Sequence, residues 1–275
     1  MTETISLISH PFDRAIALQP QDDGSWLAQT STDYANMVGP FGGITAATVL
    51  QALLIQPERL GDPVALTVNF AGPIRDGGFS VLVRPMRSSR TTQHWSVEVH
   101  QDGQCVINAI AVFALRRTTW SATEVVMPDV APADALPRAG RTMAVKWPDC
   151  YDMRFVRGGL MGVSGEGNNP DSLTQLWISD SPPRTLDFAA LTAICDAFFP
   201  RLFSRRAQPV PIGTISLNIH FHADAASLTN NGSAPLLAMA QGQVFHQGFA
   251  DQVAQVWSAQ GQLLATTQQT VWFKE

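Results

Sequence analysis

The feature that most constrains this chain is that it runs through one order of elements twice, on either side of a stretch that can hold neither a helix nor a central strand. That stretch, residues 127–137, reads Met-Pro-Asp-Val-Ala-Pro-Ala-Asp-Ala-Leu-Pro. Proline fixes its own φ and lacks an amide proton, so three of them in so short a span mark a connector. It falls near the middle of 275 residues, and the flanks are expected to be two copies of one plan.

Each flank opens on a helix signal. Pro40-Phe-Gly-Gly43 leads into 44–54, Ile-Thr-Ala-Ala-Thr-Val-Leu-Gln-Ala-Leu-Leu; Thr185-Leu-Asp-Phe188 leads into 189–199, stopped by Pro200. Thr185 or Asp187 can cap the second by accepting orphan amide protons. Both runs are apolar all round and are expected to be buried. Alternating strands follow in the same order. Residues 66–71 parallel 217–222, 79–84 parallel 236–240, and two hairpins turn at Asp102-Gly103 and Gln260-Gly261. Asp-Gly readily takes positive φ, which makes the first a strong hairpin signal. The plan is α+β, one helix against an antiparallel sheet, in tandem: residues 1–120, a Pro/Ala-rich linker at 121–142, and residues 143–275.

Composition narrows the function. A net charge of −5 gives no reason to expect nucleic acid as a partner. No apolar run reaches the roughly 18 residues of a membrane span, and residues 1–6 lack the basic start and apolar core of a signal peptide. Cys105, Cys150 and Cys195 are odd in number and far apart, which suggests neither a disulfide framework nor a zinc site. These features read as a cytoplasmic protein with reduced thiols.

Two places break the local pattern. Asp196 is a carboxylate in an otherwise apolar run, Ile194-Cys-Asp-Ala-Phe-Phe199. A buried carboxylate needs partners or a task, and in a dry pocket it can act as a base toward water. Gln269 lies in a polar stretch, Thr266-Thr-Gln-Gln-Thr270, where the matching stretch of the first half is Ala109-Ile-Ala-Val112. With the two hairpin glycines in register, Gln269 stands where the first half has Ala111. The bland alternative is a capping or exposed Asp196 and an edge-strand face around Gln269. Gly42 and Gly43 open the first helix, where unpaired amide protons let a carbonyl or phosphate approach; close helix packing would use glycine equally well. His220 and His222 share a strand face without a third ligand, so no metal is expected. Residues 162–166, Gly-Val-Ser-Gly-Glu, miss the nucleophile-elbow pattern. Arg84, Arg87 and Arg90 are candidates for ligand phosphates or simply solvated.

Taken in order, Phe41-Gly-Gly43, Phe70-Ala-Gly-Pro73, Met86–Arg90, Gln175–Ile178, Ile194-Cys-Asp196, Gly213-Thr-Ile215, Phe221-His222 and Ala265–Gln269 resemble the double-hotdog acyl-CoA thioesterases, the family of bacterial thioesterase II. The resemblance runs over nearly the whole chain and implies a tandem hotdog fold, with each long helix wrapped by a curved antiparallel sheet. It implies hydrolysis of acyl-CoA without a cofactor, an acyl-CoA substrate as partner, and a homo-oligomer. Carried over residue by residue, it puts the hydrolytic water on Asp196, Thr214 and Gln269. Ser216-Leu217 stands where the family often has Asp-His, so Ser216 competes with Thr214 for the hydroxyl role, and Ile44 replaces a frequent Gln. A hydratase or dehydratase would need an Asp closely followed by His near one helix start, which neither helix offers. An acyl-CoA-binding hotdog that does not cleave is the other alternative.

Overall fold

A computed structural model describes residues 10–140, 145–159, 170–206 and 210–275; the 162–166 segment lies outside them. The first half contributes α1 (Pro11–Ala15), β1 (Gln19–Pro20), β2 (Trp26–Gln29), α2 (Gly42–Leu54), β3 (Asp62–Phe70), β4 (Gly78–Ser88), β5 (Thr92–Gln101) and β6 (Gln104–Ala114). The second contributes β7 (Tyr151–Arg157), β8 (Thr174–Asp180), α3 (Phe188–Ile194), α4 (Arg201–Arg205), β9 (Ile212–Phe221), α5 (Ala225–Asn231), β10 (Leu236–Gln241), β11 (Phe245–His246), β12 (Phe249–Trp257) and β13 (Leu263–Phe273).

The sheet is one surface, in the order β1-β2-β4-β5-β6-β3-β9-β13-β12-β10-β8-β7, with β11 beside β12. Every pairing in it is antiparallel. The second six strands reverse the order of the first six, as two copies related by a twofold axis must. The axis passes between β3 and β9, where Thr67 Oγ1 donates to Asn218 Oδ1 at 2.8 Å. Arg116 ties the same seam by donating to the carbonyls of Pro63 at 3.3 Å and Phe221 at 2.7 Å. This is the α+β double hotdog.

Both central helices are buried, as their composition requires. In α2 the residues from Gly43 to Leu50, with Ala52 and Leu53, are all buried. Its two threonines would be out of place there but for their hydroxyls, which donate back along the helix: Thr45 to the Phe41 carbonyl and Thr48 to that of Ile44. At the start of α3 it is Asp187 that caps, accepting from the Ala190 amide at 2.8 Å. That helix is shorter than the sequence suggests. It ends at Ile194, and turn hydrogen bonds from Asp196 N to Ala193 O and from Ala197 N to Ile194 O lead the chain away. Asp196 therefore stands on the turn beyond the helix, not within it.

The connector is not a free tether. Met127, Val130, Ala133 and Leu136 pack on Trp177, Leu237 and Trp257 of the second half, and the Trp177 indole donates to the Ala131 carbonyl at 2.9 Å. Of the hairpins, the first turns through Asp102 at φ 53° and Gly103 at φ 76°, the geometry that Asp-Gly favours.

Candidate active site

Where the start of α2 meets the end of α3, a cavity of about 520 Å³ is lined by both halves. Asp196, Thr214, Gln269 and Gly42 all line it; Gly43 and Ser216 do not. Its apolar wall includes Phe70 of β3 and, from the second half, Phe198, Phe199 and Phe203, with Phe41 stacked on Trp147 at 4.3 Å between ring centres.

The polar groups form one chain. Thr214 Oγ1 donates to Gln269 Oε1 at 3.3 Å, and Gln269 Nε2 donates to Asp196 Oδ1 at 2.8 Å. The Gly43 backbone amide faces the same carboxylate and favours its charged form. Asp196 is 9% exposed and Gln269 3%. Burial pushes the Asp196 carboxyl up to about 7, against the opposing pull of the Gln269 and Gly43 donors, because desolvation disfavours the charged form.

Local folding decides which hydroxyl faces the cavity. β13 pairs with both β9 and β12, so the Thr-Gln stretch sits in the middle of the sheet rather than on an edge. On β13 the inward residues are Ala265, Thr267, Gln269 and Val271. Gln269 is opposite Leu217 on β9, but after a bulge at Ile215 Val271 is opposite Thr214. The extra residue reverses the alternation, so Thr214 joins Gln269 on the inner face while Ser216 stays opposite Thr270.

The two glycines have different surroundings. A Cβ on Gly42 would lie 2.7 Å from Asp196 Oδ2 and 3.6 Å from the Phe70 ring. On Gly43 it would meet the Ala193 carbonyl oxygen at 2.6 Å and the Phe41 ring at 2.5 Å. The first lies against the acid; the second lets α2 and α3 touch. Among the described residues no cluster of three or more His, Cys, Asp or Glu side chains is placed to hold a metal ion. Arg84, Arg87 and Arg90 are exposed and none lines the cavity.

One residue of the site escaped the sequence reading. Gln252 on β12 is 2% exposed, lines the cavity and lies directly opposite Gln269. The signal was there: it is the one polar residue in the inward phase Ala250, Gln252, Ala254, Val256. It was hidden by a strand in which outward glutamine and aspartate are also frequent.

Two family models match in tandem, the acyl-CoA thioesterase N-terminal domain over residues 31–114 and the acyl-CoA thioesterase C-terminal domain over residues 127–273. The chain belongs to the acyl-CoA thioesterase family. It is thus a thioester hydrolase, and it acts on acyl-CoA. No helix of this thioesterase, among the described residues, is long and apolar enough to cross a membrane. Among solved structures it is similar to a conserved hotdog-fold protein of unknown function from Alicyclobacillus acidocaldarius, at 44% identity and a TM-score of 0.92, covering 98% of this chain and 99% of that one. It also shares its fold with an acyl-CoA thioesterase II from Mycobacterium marinum, at 18% identity and a TM-score of 0.73, covering 96% and 98%. No curated protein matches the sequence.

Proposed function

We propose that the thioesterase cleaves acyl-CoA by direct attack of water, with Asp196 as base and Thr214 and Gln269 holding the water in line. The observation that carries this is the hydrogen-bonded run Thr214–Gln269–Asp196 on the wall of a largely apolar cavity. Thr214 fixes the Gln269 carbonyl oxygen and so turns its amide nitrogen toward the acid. The hydroxyl then keeps its lone pairs for a water proton. Asp196 takes a proton from the water as its oxygen bonds to the thioester carbon. The start of α2 at Gly42 polarises the carbonyl oxygen as it becomes an oxyanion. When the carbon–sulfur bond breaks, the proton on Asp196 goes to the CoA sulfur, leaving a free acid and CoA. A carboxyl near 7 suits both transfers, since a base works best when its pKa lies close to the working pH.

The test is thiol release from a panel of acyl-CoAs. Asp196→Asn keeps the shape and removes the base, so kcat is expected to collapse with KM little changed. Thr214→Ala and Gln269→Ala are each expected to lose about tenfold to a thousandfold. Undiminished turnover in Asp196→Asn would refute the assignment. Asp187 is no substitute, being engaged as the cap of α3 and absent from the cavity wall.

A further inference from the structure

Three buried polar groups that the water-holding chain does not use come together behind the cavity. Tyr34 Oη, Tyr151 Oη and Asp180 Oδ1 are sealed from solvent and find no hydrogen-bond partner among the described residues. Tyr34 belongs to the first half, whereas Tyr151 opens β7 and lies directly opposite Asp180 at the end of β8. The two phenol rings pack edge to face with 6.3 Å between centres. Trp147, which lines the cavity, meets the Tyr151 ring at 6.1 Å. Burial above all, with Asp180 contributing, holds both phenols well above their usual range, so each presents an O–H that needs an acceptor. The neighbours are already engaged. Cys150 donates its thiol proton to the Asp33 carbonyl at 3.3 Å, and Arg184 is paired with Asp13 and Asp187. Two phenylalanines would fill the same volume without stranding a hydroxyl. The other unpaired buried atoms, in Trp95, Asn231, Gln252 and Thr267, stand on β5, α5, β12 and β13, whereas these three share one place.

We infer that Tyr34, Tyr151 and Asp180 bind one buried water molecule, which joins the two halves of the chain next to the cavity. The three groups offer two phenolic protons and one carboxylate oxygen. Water accepts two protons and returns one of its own to Asp180, which makes the three bonds usual for a buried water. Polar groups that face one another yet stand too far apart to bond directly are joined in this way. A monovalent cation would take lone pairs from the phenols and leave both of their protons without an acceptor. The bridge ends on Tyr34, whose carbonyl accepts the Phe41 amide at 2.8 Å just ahead of Gly42. It therefore fastens the approach to α2 onto the sheet of the second half.

A crystal structure of the wild-type full chain is expected to show one density peak at hydrogen-bond distance, about 2.6–3.0 Å, from all three oxygens. Either phenol bonded straight to Asp180, with nothing between, would overturn the inference without any variant. So would anomalous scattering at that point after a rubidium soak, which would mark a cation. In solution, oxygen-17 relaxation dispersion counts the waters trapped inside a protein. Replacing Tyr34→Phe and Asp180→Leu together removes two of the three anchors and is expected to release about one water relative to wild type. An unchanged count in a double variant that keeps its native circular dichroism would likewise sink the assignment. Should that pair fail to fold, Tyr151→Phe alone makes the same comparison, and the wild-type density decides in either case.

Discussion

Asp196 accepts from the Gln269 side chain at 2.8 Å with the Gly43 amide also favouring its charged form, and burial still leaves its carboxyl near 7. The folded protein therefore binds this proton more tightly than the unfolded chain, whose Asp titrates near about 4. Stability from that proton is complete below about pH 4 and is lost as pH rises through about 7. Compared with Asp196→Asn, which does not titrate, wild type is expected to lose stability progressively over that interval, by an amount on the order of a few kcal/mol, and its melting temperature to fall with it. Asp180 is also buried and raised to about 7, but it is common to both proteins, so the comparison isolates Asp196. A difference in melting that stays flat from pH 4 to 8 would contradict this. Asp196 and Gln269 were legible in the sequence because each is polar where its surroundings or its twin are apolar. Which of Thr214 and Ser216 faces the cavity was not, since it turns on one bulged residue that alternation cannot reveal. Gln252 was missed because phase matters more than composition in a strand that carries polar groups on both faces.

At the scale of elements, the crossing of α2 and α3 is set by a glycine. With Ala193 O 2.6 Å from where a Cβ would stand, Gly43→Ala has to push the helices apart, and overpacking of this kind costs about 1–3 kcal/mol. Urea unfolding of Gly43→Ala is expected to show that loss. Gly42→Ala, whose Cβ would meet the end of the Asp196 side chain at 2.7 Å, is expected to unfold near wild type and lose turnover instead. Equal effects of the two would mean that both glycines serve packing alone. The helices and hairpins were legible from apolar runs and turn residues. The end of α3 was not, because Cys195, Ala197, Phe198 and Phe199 continue the apolar run past Ile194, and the only punctuation is Pro200.

At the scale of the molecule, the twofold plan is complete in its strands and broken in its chemistry. Two residues beyond α3 stands Asp196; two beyond α2 stands Gln56, whose amide folds back to the Ala52 carbonyl. Ala111 and Trp95 take the places of Gln269 and Gln252. One half supplies the acid and the other the helix start, so titration calorimetry of Asp196→Asn with an acyl-CoA is expected to give about one ligand per chain. A value near two would show that the mirror position binds as well. The repeat itself was plain in the sequence, whereas the lining of the cavity was not, because it depends on how β3 and β9 meet.

That meeting has a consequence for how the protein can associate. A lone hotdog half would expose β3 or β9 as an open edge, with unpaired amides and carbonyls ready to template another strand. The seam uses up both. What remains at the two ends of the sheet is β1, two residues long and containing Pro20, and β7, bulged between Phe155 and Arg157 and carrying Arg154 and Arg157. Short strands, proline, bulges and charge all discourage growth at an edge. Among the described residues both end strands are therefore poor templates, so copies of this chain that assemble are expected to meet through faces and loops more readily than by adding strand to strand at these ends.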